Sequence, residues 1–166
     1  MESFHEYIKE YRTQLGKGYI KKAYKGLMEY FASLRLYLKN KYPDHFISSS
    51  IQTGYMDYTY FYFFPKSLKD RQLKIVIIFI HDNFTFEVWL SGYNKNIQKK
   101  YWELFTKKQW GKYHIAPTTK GIDYIIRHPS IDHPDFSNLD ALTRQIEKGV
   151  VNFTRDIEKF LFRHLP

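Results

Sequence analysis

The segment from Leu73 to His81 constrains this chain most, because it contains six consecutive apolar residues, Ile75–Ile80. A short apolar run without alternation suits a strand that is covered on both faces. Asp82-Asn83 follows as a turn signal, and the apolar pattern resumes over Phe84–Leu90. A connection this short permits only antiparallel pairing. The sequence therefore predicts an antiparallel hairpin at the centre of a sheet.

Three other segments are strand candidates. Met56–Phe64 is rich in tyrosine and phenylalanine and ends at Pro65, which is typical of a strand. Tyr113–Ala116 and Ile122–Arg127 are shorter candidates on either side of a turn. His128–Phe136 contains two prolines and is predicted to be a loop.

Apolar residues at helical spacing predict helices on both sides of these strands. A helical hairpin is expected over residues 1–42, broken at Gly16-Lys17-Gly18. A basic helix is expected over 94–109. A long helix is expected over 137–165, with Ser137 as a capping signal at its start.

This order of elements indicates a single α+β domain over residues 1–166. We expect an antiparallel sheet of about four to six strands over 45–127, with the helical hairpin, the middle basic helix and the long C-terminal helix packed on it. Strands and helices do not alternate regularly, which argues against a doubly wound nucleotide-binding fold. No apolar run approaches the ~20 residues of a bilayer span. The expectation is a cytoplasmic protein without a membrane partner.

The charge is unevenly distributed. The chain has 26 Lys+Arg against 17 Asp+Glu, a net charge of +9, and residues 1–41 and 94–112 each contribute +5. A basic surface favours nucleic acid or an acidic protein as partner, whereas the alternative is a solvated surface that favours solubility. The lysines expected to contact nucleic acid or another anion are Lys95, Lys99, Lys100, Lys107 and Lys108.

The sequence lacks the residues that several classes of chemistry require. The chain has no cysteine, which excludes disulfides, thiolate catalysis and cysteine-bound zinc. Neither a glycine-rich phosphate loop nor a nucleophile elbow is present, and we expect no cofactor. His128, Asp132 and His133 are residue types that zinc accepts, but they fall in the predicted loop, so no metal site is expected.

The strand ending at Leu90 carries the sharpest catalytic candidates. Alternation places Glu87 and Trp89 on the same face, and Asp57 on the tyrosine-rich strand belongs to the same sheet. Two strand carboxylates, with Lys95 as an electrostatic stabiliser, are the minimum set for a metal-dependent phosphodiesterase. The rival interpretation is a structural ion pair between Glu87 and a lysine of the basic helix.

Aromatic residues make up 19% of the chain and suggest a ligand pocket instead. Tyrosine and tryptophan suit cleft walls, because each has an apolar body and a polar tip. Tyr93 and Asn94 lead into the basic helix, where free backbone N–H groups attract anions. The ligand-binding candidates are Tyr58, Tyr60, Tyr62, Trp89, Tyr93 and Asn94.

Four segments, Lys22–Tyr30, Gly54–Thr59, Phe86–Trp102 and Tyr113–Gly121, resemble an uncharacterised bacterial family of single-domain proteins. The resemblance implies a similar single-domain fold and brings no activity. The strand followed by a basic helix, Glu87–Trp102, is also similar to domains of unknown function attached to restriction-type nucleases.

Three functions remain open. The first interpretation is a non-enzymatic cytoplasmic binding module, whose basic helices at 17–41 and 94–112 contact nucleic acid or an acidic protein. The second is a metal-dependent phosphodiesterase or nuclease-like enzyme that uses Asp57 and Glu87. The third is a small-ligand sensor with a pocket lined by tyrosine and tryptophan.

Overall fold

A computed structural model describes residues 3–165. The chain comprises two compact units, residues 1–34 and 35–166. The helices are α1 (Phe4–Gly16), α2 (Tyr19–Lys41), α3 (Lys66–Lys69), α4 (Lys95–Lys107) and α5 (Leu139–His164). The strands are β1 (Phe46–Ile47), β2 (Gln52–Thr53), β3 (Tyr58–Phe64), β4 (Leu73–Ile80), β5 (Thr85–Gly92), β6 (His114–Ile115) and β7 (Ile126–Ile131).

The α+β class is confirmed, with one open antiparallel sheet in the order β1-β3-β4-β5-β7-β6 and β2 also paired to β3. The predicted central hairpin is present, since Ile77 lies opposite Val88 and Ile80 opposite Thr85. The sheet has seven strands within the described residues, not four to six. Three of them, β1, β2 and β6, have two residues each, too few for an alternating pattern to reveal them.

One face of the sheet forms the core of the second unit. Cross-strand register places Phe61, Ile77 and Val88 side by side on this face, and each is at most 1% exposed. From α5, Phe153 packs against the ring of His128, which stands on the same face of β7. The apolar stripe that helical spacing predicts on α5 starts at Leu139, which is 44% exposed, and the rest of it is buried: Leu142, Ile146, Val150, Phe153, Ile157 and Phe160.

The predicted loop after Arg127 is wrong at its start, because β7 continues to Ile131 and so contains His128 and Pro129. Pro129 lies opposite Glu87 on one side. On the other side, β6 pairs with Ile126 and Arg127 alone, so no ladder hydrogen bond is required of the proline.

The N-cap of the long C-terminal helix lies one residue later than predicted. Asn138 is the N-cap, and its side-chain oxygen accepts a hydrogen bond of 3.1 Å from the backbone N–H of Ala141. The hydroxyl of Ser137 donates instead to Asp135. Both residue types cap helices well, so sequence alone does not separate them.

Gly92 allows the close packing of α4 on the end of β5. A Cβ atom at this position would lie 2.6 Å from the backbone nitrogen of Gln98, so no larger residue fits without a shift of the helix. The backbone N–H of Gly92 donates a 2.8 Å hydrogen bond to Oε1 of Gln98, and Asn94 caps the helix through the N–H of Ile97. The expected middle helix is therefore anchored directly to the end of a central strand.

In the first unit, α1 begins with a capping box formed by Ser3 and Glu6. This helix buries none of its residues. None of the helices within residues 3–165 combines the length and apolarity that crossing a bilayer requires.

Candidate functional site

The second face of the sheet differs from the core face and is called the aromatic face below. The alternation of β3 places four rings on it: Tyr58, Tyr60, Tyr62 and Phe64. The register then aligns the neighbouring strands, so that this face also carries Lys74, Val76, Ile78, Glu87 and Trp89. The face is therefore built by strand periodicity alone, which fixes every second residue to the same side.

Exposure distinguishes the two faces along β3, although Val76 and Ile78 on the aromatic face of β4 are buried. Tyr58 is 41% exposed, and Tyr60, Tyr62 and Phe64 are half-buried, whereas Phe61 on the core face is fully buried. The rings along β3 touch in sequence: the centroids of Tyr60 and Tyr62 are 5.6 Å apart, and those of Tyr62 and Phe64 are 5.9 Å apart. A continuous row of partly exposed rings therefore runs along this strand.

Trp89 adds a second group of rings across the sheet. Its ring lies 6.3 Å from that of Tyr58 in an edge-on arrangement and 5.0 Å from that of Tyr124. The sequence-based candidates Tyr58 and Trp89 are thus in contact although 31 positions separate them in the chain. Because β4 lies between β3 and β5, this contact is made by two long side chains that reach across the intervening strand.

Cations stand over several of these rings. The ammonium of Lys74 lies 4.0 Å from the centre of the Tyr62 ring, and the guanidinium of Arg127 lies 5.9 Å from that of Tyr124. Burial lowers the pKa of Lys74, and the carboxylate of Asp123 opposes this shift. Burial, with a hydrogen bond to Tyr60, raises the pKa of Tyr62 to about 12, so this hydroxyl stays protonated at neutral pH.

A pocket of about 320 Å³ opens where the aromatic face reaches the β1 edge. Its walls are three rings and two lysines: Phe46, Phe64, Tyr93, Lys69 and Lys74. The ammonium of Lys69 lies 5.2 Å from the centre of the Phe46 ring. Aromatic walls with positive charge at the rim suit a flat, anionic ligand.

Glu87 is buried at the centre of this face, with an exposed fraction of 2%. Its Oε2 accepts a 2.6 Å hydrogen bond from the indole N–H of Trp89, and its Oε1 lies 3.9 Å from a guanidinium nitrogen of Arg127. The expected structural ion pair thus exists, but its cation comes from β7 and not from a lysine of the basic helix. Glu87 orients Trp89 and Arg127, the two groups beside Tyr124.

Asp57 stands apart from Glu87. Glu87 lies opposite Ile78, which lies opposite Tyr60, three residues beyond Asp57. Two strand spacings and three residues separate the backbone positions of Asp57 and Glu87, about 10 Å in each direction. Asp57 accepts a 2.8 Å hydrogen bond from the backbone N–H of Tyr58, and residues 3–165 hold no group of three or more His, Asp or Glu side chains that could bind a metal ion.

The remaining candidates lie on or near α4. Tyr93 lines the pocket, whereas the side-chain oxygen of Asn94 is engaged as the helix cap. The five candidate lysines are exposed along the helix: Lys95, Lys99, Lys100, Lys107 and Lys108. Lys99 pairs loosely with Glu103 at 3.9 Å.

Sequence reasoning missed Phe64, Lys74, Arg127, Tyr124 and Phe46. Alternation from Tyr58 already contains Phe64, so counting by two along β3 was sufficient to find it. Lys74 is the polar residue that interrupts the otherwise apolar β4, which was a usable signal. No local signal points to Phe46, because the two-residue β1 reaches this face only through its pairing with β3.

Fold and site together define an α+β protein whose open antiparallel sheet buries one face and presents aromatic and basic side chains on the other. The chain belongs to the family DUF7000, a domain of unknown function, whose model matches residues 4–161. The resemblance to an uncharacterised family is thereby confirmed. No curated protein and no solved structure matches the chain.

Proposed function

We propose that this protein is a binding module for single-stranded nucleic acid and that the strand lies on the aromatic face. The observation that carries the proposal is the row of partly exposed rings on β3, Tyr58, Tyr60, Tyr62 and Phe64, with Trp89 beside it. Unpaired bases stack on such rings, and each stacked base contributes about 1–3 kcal/mol. A duplex hides its base faces and gains nothing from them.

The cations support the same partner. Lys74, Lys69 and Arg127 each stand within 6 Å of the centre of an aromatic ring. Rings for bases next to cations for phosphates are the combination that single strands require. An acidic protein would use the cations but would leave the flat tyrosine surfaces without a matching partner.

We include three further expectations in this proposal: a bacterial origin, a cytoplasmic location and a relationship to domains attached to restriction-type nucleases. All three fit a protein that meets single strands of DNA or RNA. The basic helix α4 belongs to it as well, because its exposed lysines add long-range attraction for any polyanion.

The test is binding of a fluorescent oligothymidylate of about twelve nucleotides, followed by anisotropy at low salt. Tyr58→Ala combined with Tyr60→Ala is expected to weaken binding by at least about tenfold, since two stacking contacts are lost. The matched control is Tyr7→Ala with Tyr11→Ala, because both tyrosines are more than half exposed on α1. Equal loss in both variants, no binding by the native protein, or tighter binding of a duplex would refute the proposal.

A charge variant separates the aromatic face from α4. Changing Lys99, Lys100, Lys107 and Lys108 to Glu is expected to slow association and weaken binding without abolishing the preference for single strands. If this variant lost all binding while the tyrosine variant kept it, the interface would be α4 and not the aromatic face.

The pocket supports a second candidate, a sensor for a small aromatic anion. Its volume of about 320 Å³ falls within the usual range for ligand sites, about 300–1,000 Å³. Thermal stabilisation by a mononucleotide, lost in Lys74→Gln, would favour this sensor if oligonucleotides gave no larger effect. Stronger stabilisation by the oligonucleotide favours the extended interface.

A further inference from the structure

A second concave region adjoins the aromatic face and is called the basic cleft below. It has a volume of about 720 Å³, and its walls include Arg35, Lys39, Asn40, His45, Phe46 and Ser49. All of these residues belong to the second unit. The cleft lies between the end of α2 and β1, and its lining contains two permanent cations and no carboxylate among the described residues.

Phe46 connects the two regions. Its ring lines both the pocket on the aromatic face and the basic cleft, and it is 54% exposed. The ring centroid of Phe46 also lies 5.3 Å from that of Phe64, the last ring of the β3 row, with the two rings tilted by 54°. The row of rings on β3 therefore continues through Phe46 to the cleft.

The polar groups of the cleft are preset for an anion. The guanidinium of Arg35 donates a 3.3 Å hydrogen bond to the backbone oxygen of Ser48, which holds it in place while its other N–H donors remain for a ligand. Lys39 lies one helical turn further along α2 on the same side.

We infer that the basic cleft binds the phosphodiester backbone of the strand whose bases stack on the aromatic face. This inference rests on the proposed function. Arg35 and Lys39 each neutralise one phosphate, and the bases attached to those phosphates are not read. The site therefore extends beyond the rings, and its outer part recognises charge alone.

The test compares two oligonucleotides, an oligothymidylate of about five nucleotides and the same oligonucleotide with about four abasic nucleotides added at either end. One of the two tails is expected to tighten binding and to steepen the dependence of log affinity on log salt by about 1.4, or ~0.7 per phosphate. Arg35→Gln with Lys39→Gln is expected to abolish this gain and to leave the affinity for the untailed oligonucleotide unchanged.

Two further variants keep the test decisive. Lys39→Gln alone retains the Arg35–Ser48 hydrogen bond and is expected to remove about half of the added salt dependence. Arg155→Gln with Lys159→Gln makes the same charge change at the same spacing on α5 and is expected to keep the full gain.

The outcomes separate the two claims. A native protein that does not bind the untailed oligonucleotide contradicts the proposed function itself. If the untailed oligonucleotide binds but neither tail adds affinity, or the cleft variant keeps the gain, the inference about the cleft is wrong and the aromatic face remains the whole site.

Discussion

The indole N–H of Trp89 donates a 2.6 Å hydrogen bond to Oε2 of Glu87, two residues earlier on the same face of β5. This bond ties the most deeply buried carboxylate of the sheet to one of the rings that carry the proposed function. Glu87 is therefore a positioning residue, since it holds Trp89 and does not itself reach solvent.

The Glu87–Trp89 bond makes a prediction for stability. Glu87→Ala leaves the indole N–H without its acceptor and Arg127 without its carboxylate, so the free energy of unfolding is expected to fall by about 2 kcal/mol. Glu87→Gln keeps an acceptor for the indole and is expected to cost less than half as much. Urea unfolding of both variants measures the difference, and equal losses would mean that charge, not the hydrogen bond, is what matters.

Gly92 predicts a packing effect at the joint between β5 and α4. Gly92→Ala places a methyl group 2.6 Å from the backbone nitrogen of Gln98, and we expect a loss of about 1–3 kcal/mol in the free energy of unfolding. Gly26→Ala is the control, because a Cβ there meets nothing within 4 Å and helical glycine disfavours folding. The control is expected to stabilise the protein by about 0.5–1 kcal/mol. If Gly92→Ala and Gly26→Ala both raised or both lowered the melting temperature, the explanation given for Gly92 would be wrong.

Glu147 on α5 predicts a pH dependence of stability. It accepts hydrogen bonds from Tyr37 at 2.7 Å and Tyr42 at 2.5 Å and pairs with Lys41 at 2.7 Å. Burial raises its pKa, but the hydrogen bonds from Lys41, Tyr42 and Tyr37 outweigh burial and leave the pKa below its usual value. A depressed pKa stabilises the fold above the pKa of the unfolded chain, and this contribution is lost as the pH falls through the folded pKa.

Glu147→Gln is therefore expected to lower the free energy of unfolding by about 2 kcal/mol at neutral pH and by progressively less in acid. Chemical unfolding at a series of pH values checks the convergence. Glu29→Gln is the control, because its pair with Lys25 is exposed at 3.7 Å and is expected to contribute less than about 0.5 kcal/mol. A constant difference between the native protein and Glu147→Gln at every pH would rule out the linkage.

Ile77 tests the central position of β4. Its side chain is fully buried, so Ile77→Asp places a carboxylate in the core without a partner and is expected to prevent folding. Ile77→Val removes one methyl group and is expected to cost about 1 kcal/mol. Circular dichroism and thermal melts distinguish the two, and a folded Ile77→Asp protein with native stability would show that this strand lies at the periphery.

The sequence predicted the elements whose patterns are long. The apolar run Ile75–Ile80 is long enough to specify a strand covered on both faces, and the stripe on α5 repeats often enough to specify both the helix and its buried side. The two-residue strands contain no such repeat, and β7 was cut short because Pro129 is normally excluded from strands. Pro129 fits in β7 because the pairing between β6 and β7 ends at Arg127, and the local sequence does not reveal where this pairing ends.

The candidate site likewise has one part that the sequence predicted and one part that it did not. Alternation found Tyr58, Tyr60 and Trp89, because each one's side of the sheet follows from its position in the strand. The basic cleft was not found, since Arg35 on α2 and Phe46 on β1 become neighbours only when the chain turns back after the helix. Residues joined by such turns share no periodicity.

The half-exposed rings of the aromatic face also favour association between two copies of this protein, because solvent-exposed ring surface in one copy would be buried by stacking on the other. The net charge of +9 opposes that approach, since like-charged copies repel at low ionic strength. Salt screens the repulsion but not the stacking, so concentrated protein is expected to self-associate as ionic strength rises. The lysine excess is thus expected to oppose self-association most strongly at low salt.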